Sequence, residues 1–180
     1  MLGIALTDDA VLRSLEPWRA AEFAEHVDRV RDHLRPWLWW ATVVVDDETA
    51  RTFLQGFADD LAKDGRRIYG IWVGDQLVGG TIFRVFEAAS GVCEVGVWLG
   101  PEAEGKGLVH RAVRRMIEWA IRERGMQRIE WRTVPENTRS IAAAKRLGMR
   151  REGVLRSAYP RDGIRHDVEV YALLADEWVA

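Results

Sequence analysis

The sequence predicts an α/β domain with a mixed sheet, and three observations carry that expectation. Apolar residues recur at helical spacing in the N-terminal third, two β-rich runs flank Gly74-Asp75-Gln76, and helix and strand alternate thereafter. Residues 18–33 place Phe23, Val27 and Val30 on one helical face, and residues 47–63 do the same with Phe53, Phe57 and Leu61. Asp47 is expected to cap the second helix. Residues 67–73 and 77–86 are rich in β-branched and aromatic side chains and read as a hairpin about Gly74-Asp75-Gln76. Ala88-Ala89-Ser90-Gly91 turns the chain into a further strand at 92–99. From Leu108 the apolar residues Val109, Ala112, Val113, Met116, Ile117 and Ala120 form one helical face. Arg111, Arg114, Arg115, Glu118 and Arg122 form the other. A strand at 128–134, a helix at 138–147 stopped by Gly148, and strands near 150–157 and 167–173 complete the chain.

At 180 residues, with 48% hydrophobic, the chain is long enough for one domain with a real core, taken as 1–180. A net charge of −2 with interspersed signs leaves no basic footprint for nucleic acid and no polybasic membrane patch. The N-terminus lacks the pattern of a signal peptide, and no later stretch is apolar enough to span a bilayer, which places the chain in the cytoplasm. The single cysteine, Cys93, agrees with a reducing compartment and reads as a small core residue in its strand.

The loop between strand 92–99 and the helix from Leu108 carries the first functional signal. Gly105 and Gly107 let the backbone approach a ligand, with the N–H groups of a helix start turned into the loop, which suits an anion. Residues 100–106 also match the opening of a nucleoside-triphosphate loop, with glycines five apart and Lys106 after the second. Gly107 then stands where that motif needs a magnesium-binding hydroxyl, so a nucleotide binder is a minor alternative. A tight strand-to-helix turn with no ligand is the other alternative.

Further motifs follow in order: Pro135-Glu136-Asn137-Thr138-Arg139-Ser140, then Leu147-Gly148-Met149 with Arg150 to Arg156, then Tyr159 to Tyr171, and upstream Leu34-Arg35-Pro36-Trp37-Leu38. Together with the loop they resemble the GNAT superfamily of acyl-CoA N-acyltransferases, and within it the RimJ/RimL branch, over nearly the whole chain. The resemblance implies a single GNAT-type domain. Its sheet is mixed and mostly antiparallel, flanked by helices, with a splayed strand pair at the acyl-CoA site. It implies acetyl-CoA as co-substrate with no metal. Pantetheine would lie along the strand at Val97, Trp98 and Leu99, and the pyrophosphate on the N–H groups of Glu104, Gly105, Lys106, Gly107, Leu108 and Val109. Glu104 departs from the Gln or Arg usual in the family, and its side chain is expected to turn away from the pyrophosphate.

The resemblance also assigns Asn137 to pantetheine and Ser140 to the thioester sulfur as general acid, although both residue types are ordinary helix caps. The implied reaction is direct attack of a neutral amine on the thioester in a ternary complex, with backbone N–H groups of residues 97–99 as oxyanion donors. Glu94, acting through a water, is the candidate base, with a structural ion pair as its other reading; Asp162 and His166 are further candidates. Tyr159 stands where some relatives place a glutamate. Trp37, Trp39 and Trp40 cannot all face one core, and Trp37 and Trp40, with Tyr159, are candidate acceptor-site residues. Trp18, Trp119, Trp131 and Trp178 read as core or core-edge. The acceptor is expected to be a peptide or protein N-terminus or a small-molecule amine, and a homodimer is common in the branch. A non-catalytic acyl-CoA-binding module is the alternative from another class.

Overall fold

The computed structural model describes residues 3–179; Met1, Leu2 and Ala180, which begin and end the expected domain, lie outside them. The described residues form eight strands and four α-helices: β1 (Ile4–Ala5), β2 (Ala10–Ser14), α1 (Ala20–Leu34), α2 (Asp47–Leu61), β3 (Arg67–Val73), β4 (Gln76–Glu87), β5 (Val92–Leu99), α3 (Leu108–Arg122), β6 (Arg128–Thr133), α4 (Thr138–Arg146), β7 (Arg150–Arg161) and β8 (Ile164–Leu174). The strands follow the order β1-β2-β3-β4-β5-β6-β8-β7. Of the pairings given by register, β5 with β6 is parallel and the rest are antiparallel. The mixed, mostly antiparallel sheet read from the sequence is present.

Two compact units divide the chain. One comprises the described residues of Met1–Phe83 together with Val97–Val113, and the other those of Arg84–Gly96 and Arg114–Ala180. In the first, α1 buries Phe23, Val27, Val30 and Leu34 and α2 buries Ala50, Leu54 and Phe57, as their helical spacing requires. These side chains share one apolar cluster with Ile68 and Trp72 of β3, Leu77 and Ile82 of β4, and Trp98 of β5. The cap of α2 sits one residue earlier than expected. Asp46, not Asp47, is extended and accepts from the Thr49 N–H at 2.8 Å, while the Thr49 hydroxyl takes the Asp46 N–H at 3.0 Å. The reciprocal pair needs a hydroxyl three residues on, and only Asp46 has one. The sequence reading also missed β1 and β2, which are short and lack a clean period-two pattern.

In the second unit, Cys93, Ile129, Trp131, Tyr171 and Leu173 are all buried. The strands expected at 150–157 and 167–173 are longer and form one hairpin, β7–β8, whose register shifts between Leu155 and Tyr159. Ser157 sits in that shift at a φ of 53°, its N–H donating to Asp167 Oδ1 at 2.8 Å. Trp18, expected in the core or at its edge, is instead 72% exposed, because it precedes α1 in a short 3-10 turn and falls outside the helix's apolar face.

Candidate active site

The β5 ladder to β6 covers only Val92, Cys93 and Glu94, opposite Arg128, Ile129 and Glu130. Among the described residues the ladder stops at Glu94, although β5 runs on to Leu99.

Side chains fix this strand end from the other direction. Trp98 is 3% exposed, with its ring edge-on to Phe23 and Trp40 at 6.2 and 5.5 Å. Its indole N–H donates to His26 Nε2 of α1 at 3.2 Å. Gly80 makes room for it: a Cβ there would lie 2.1 Å from the indole ring and 2.3 Å from the Tyr69 carbonyl. Since Trp98 is committed to this packing, what it can offer a cofactor is its backbone. Val97 and Leu99, which alternate with it, are half-buried.

The Gly100 N–H donates to the Val78 carbonyl at 2.7 Å, and a 3-10 turn at Pro101–Ala103 carries the chain into the loop. Glu104 departs from its expected role. Its N–H donates to Pro101 at 3.2 Å, and its carboxylate meets His33 Nε2 of α1 at 3.1 Å. Arg29, one turn earlier on α1, is 3.8 Å from Glu102. The open donors therefore begin at Gly105. Among the described residues no backbone carbonyl accepts the N–H groups of Gly105, Lys106, Gly107, Leu108 or Val109, and the first helical bond across this segment runs from Arg111 to Gly107. Gly105 and Gly107 have φ of 77° and 71°, a region that L side chains rarely adopt. Five consecutive donors at a helix start fit a pyrophosphate, so the residues present suit the diphosphate of coenzyme A.

In the second unit, Asn137 caps α4, its Oδ1 accepting from the Ser140 N–H at 3.1 Å, which leaves its amide NH₂ to donate elsewhere. The Ser140 hydroxyl accepts from the Trp131 indole N–H at 2.9 Å. Sequence reasoning put Trp131 in the core and did not see this bond, for which nothing in the local pattern gives a signal. Glu94, 3% exposed, lies 2.8 Å from Arg84 Nε and 3.6 Å from Arg132 Nε, so its lone pairs already face two guanidiniums. Tyr159 and His166 are opposed in the β7–β8 register, whereas Asp162 is at the exposed hairpin tip. Of the tryptophan segment, Trp40 is 5% exposed and packs on Phe23, Phe53 and Trp98, Trp37 is half-buried, and Trp39 is 55% exposed. Trp40 is therefore a core residue, and Trp39 is the ring the fold leaves outside.

Comparison with known proteins gives the family. The profile of the family described as "Acetyltransferase (GNAT) domain" matches residues 11–150. The putative ribosomal N-acetyltransferase YdaF of Bacillus subtilis (strain 168) is 28% identical over 99% of this chain and 98% of its own length. Among solved structures, a probable acetyltransferase superposes with a TM-score of 0.91 at 27% identity, covering 99% of each chain. RimL, a ribosomal L7/L12 α-N-protein acetyltransferase solved with coenzyme A, superposes with a TM-score of 0.91 at 22% identity, covering 97% of this chain and 99% of its own. On the profile match over residues 11–150, the chain belongs to the GNAT acetyltransferase family and is an acetyl-CoA-dependent N-acetyltransferase.

Proposed function

We propose that residues 1–180 act as one domain that acetylates the α-amino group of a peptide or protein N-terminus. The observation that carries the donor half is the run of open N–H groups from Gly105 to Val109. The acceptor half is supported by relatives such as the Escherichia coli (strain K12) ribosomal-protein-serine acetyltransferase, 26% identical over 76% of each chain. It is also supported by the exposed Trp39, two residues along from half-buried Trp37, since aromatic side chains suit a peptide better than a bare polyamine.

Acetyl-CoA supplies an activated thioester carbonyl. The loop amides hold its diphosphate, the unladdered backbone of Val97, Trp98 and Leu99 pairs with pantetheine and faces the developing oxyanion, and Asn137 donates to a pantetheine carbonyl. Ser140 donates to sulfur as the C–S bond breaks. The C–N bond forms as the amine gives up one proton and the sulfur gains one, so amine and thioester become amide and thiol. The departing amine proton goes to Glu94 through water. That role requires its contact with Arg84 or Arg132 to loosen, and Asp162 and His166 are the other acceptors. A cytoplasmic location and a homodimer are part of this proposal. Among the described residues no helix is long and apolar enough to cross a membrane.

Thiol release from acetyl-CoA, measured across a panel of free N-terminal peptides and small primary amines, tests the reading. Turnover is expected on peptides with unblocked N-termini and not on the same peptides once N-acetylated. Turnover confined to small amines would replace the acceptor. Tight cofactor binding by calorimetry with no turnover on any amine would favour the non-catalytic acyl-CoA-binding reading.

A further inference from the structure

Ser140 is the third residue of α4, and a serine in a helix can turn its hydroxyl back onto a carbonyl of the preceding turn, giving its proton to the backbone. Here Oγ is held differently. The Trp131 indole, 2% exposed in β6, donates to it at 2.9 Å, and the Ser140 N–H is fixed on Asn137 Oδ1. A hydroxyl has one proton and two lone pairs, whereas an indole N–H can only donate. The bond therefore occupies a lone pair and leaves the proton available. Among the described residues no group accepts that proton.

Resting on the reading that Ser140 donates to the leaving sulfur, we propose that Trp131 is a positioning residue that holds the Ser140 hydroxyl in its proton-donating orientation. A donor bonded to Oγ also draws electron density from it and strengthens its O–H as a donor. Trp131 is itself held in place. It is opposed in register to Tyr171 on β8, whose hydroxyl donates to Glu169 Oε2 at 2.7 Å, and Arg151 Nε in turn lies 3.0 Å from the Glu169 carboxylate. The ring therefore acts as a fixed reference against which the hydroxyl is set. At the chemical step the C–N bond forms and the C–S bond breaks with its electron pair on sulfur; Ser140 gives its proton to that sulfur, and the proton the amine loses to Glu94 returns through water to Ser140 Oγ.

The test compares Trp131→Phe, Ser140→Ala and the double variant by kcat and by KM for acetyl-CoA, assayed well below their melting temperatures. Trp131→Phe is expected to lower kcat about three- to tenfold, the worth of one neutral hydrogen bond, with KM for acetyl-CoA unchanged. Ser140→Ala is expected to lower kcat about a hundredfold, and the double variant to be no slower than Ser140→Ala. Equal losses from Trp131→Phe in both backgrounds would make Trp131 merely structural, and an unchanged kcat in Trp131→Phe would overturn its role while leaving Ser140 in place. An unchanged kcat in Ser140→Ala would instead remove the reading on which the proposal rests. Benzothienylalanine at position 131, which keeps the bicyclic shape without the N–H, gives the same comparison if phenylalanine unfolds the chain; full activity of that variant overturns the proposal.

Discussion

His26 is enclosed in α1 and neutral in the folded chain. Burial first, and then the nearby Arg29 guanidinium, push it down to about 4, against a hydrogen bond to the Leu77 carbonyl that favours its charged form. Its unfolded value is 6.5, so between those limits the unfolded chain binds a proton that the folded chain refuses. The associated stability is complete above pH 6.5 and is lost as pH falls to about 4, amounting to about 3 kcal/mol. Urea denaturation at pH 7 and pH 4.5 should show that loss. His26→Gln keeps an acceptor for Trp98 and should flatten the profile relative to the parent; parallel profiles would refute the assignment. Little of this was legible at residue scale. His26 and Trp98 are 72 positions apart, as Trp131 and Ser140 are apart in element, and such pairs exist only once the chain is folded. The contact of Glu104 with His33 joins the loop to α1, and neither segment alone announces it.

Elements were legible where period and punctuation agree. The helix from Leu108 is legible from its apolar stripe, and β3 and β4 from β-branched and aromatic runs about Gly74-Asp75-Gln76, of which Gln76 is already paired with Val73. Neighbouring carboxylates blurred the start of α2, and the five-residue β2 was too short to show a period. The approach of β4 to β5 lay beyond pattern reading, because Gly80 looks like any strand glycine until the Trp98 indole is seen against it. Gly80→Ala should destabilise the chain by about 1 to 3 kcal/mol through overpacking, seen as a lower denaturation midpoint. An unchanged midpoint would mean that the indole can move aside.

At the scale of the whole chain, motif order was the strongest signal: strand, glycine loop and helix, then Asn137 to Ser140, then the last strands, in a sequence that the family profile spans over residues 11–150. The division into two compact units was not visible, since strands β4 and β5 and helix α3 each contribute residues to both. A ligand bound only by the folded chain raises its stability by mass action. Acetyl-CoA at a hundredfold excess over its Kd should therefore add about 2.7 kcal/mol and raise the melting temperature. Gly107→Glu, which places bulk and negative charge in the amide cradle, should abolish that shift. Magnesium ATP should produce none, and a shift with ATP but not with acetyl-CoA would restore the nucleotide reading. Thermal scans can be complemented from inside β5. Cys93, the sole thiol of the chain, is fully buried and laddered to Ile129. A thiol-reactive chromophore added to the native enzyme therefore sees released coenzyme and not the protein, and without substrate its slow reaction becomes a clock for the opening of that strand.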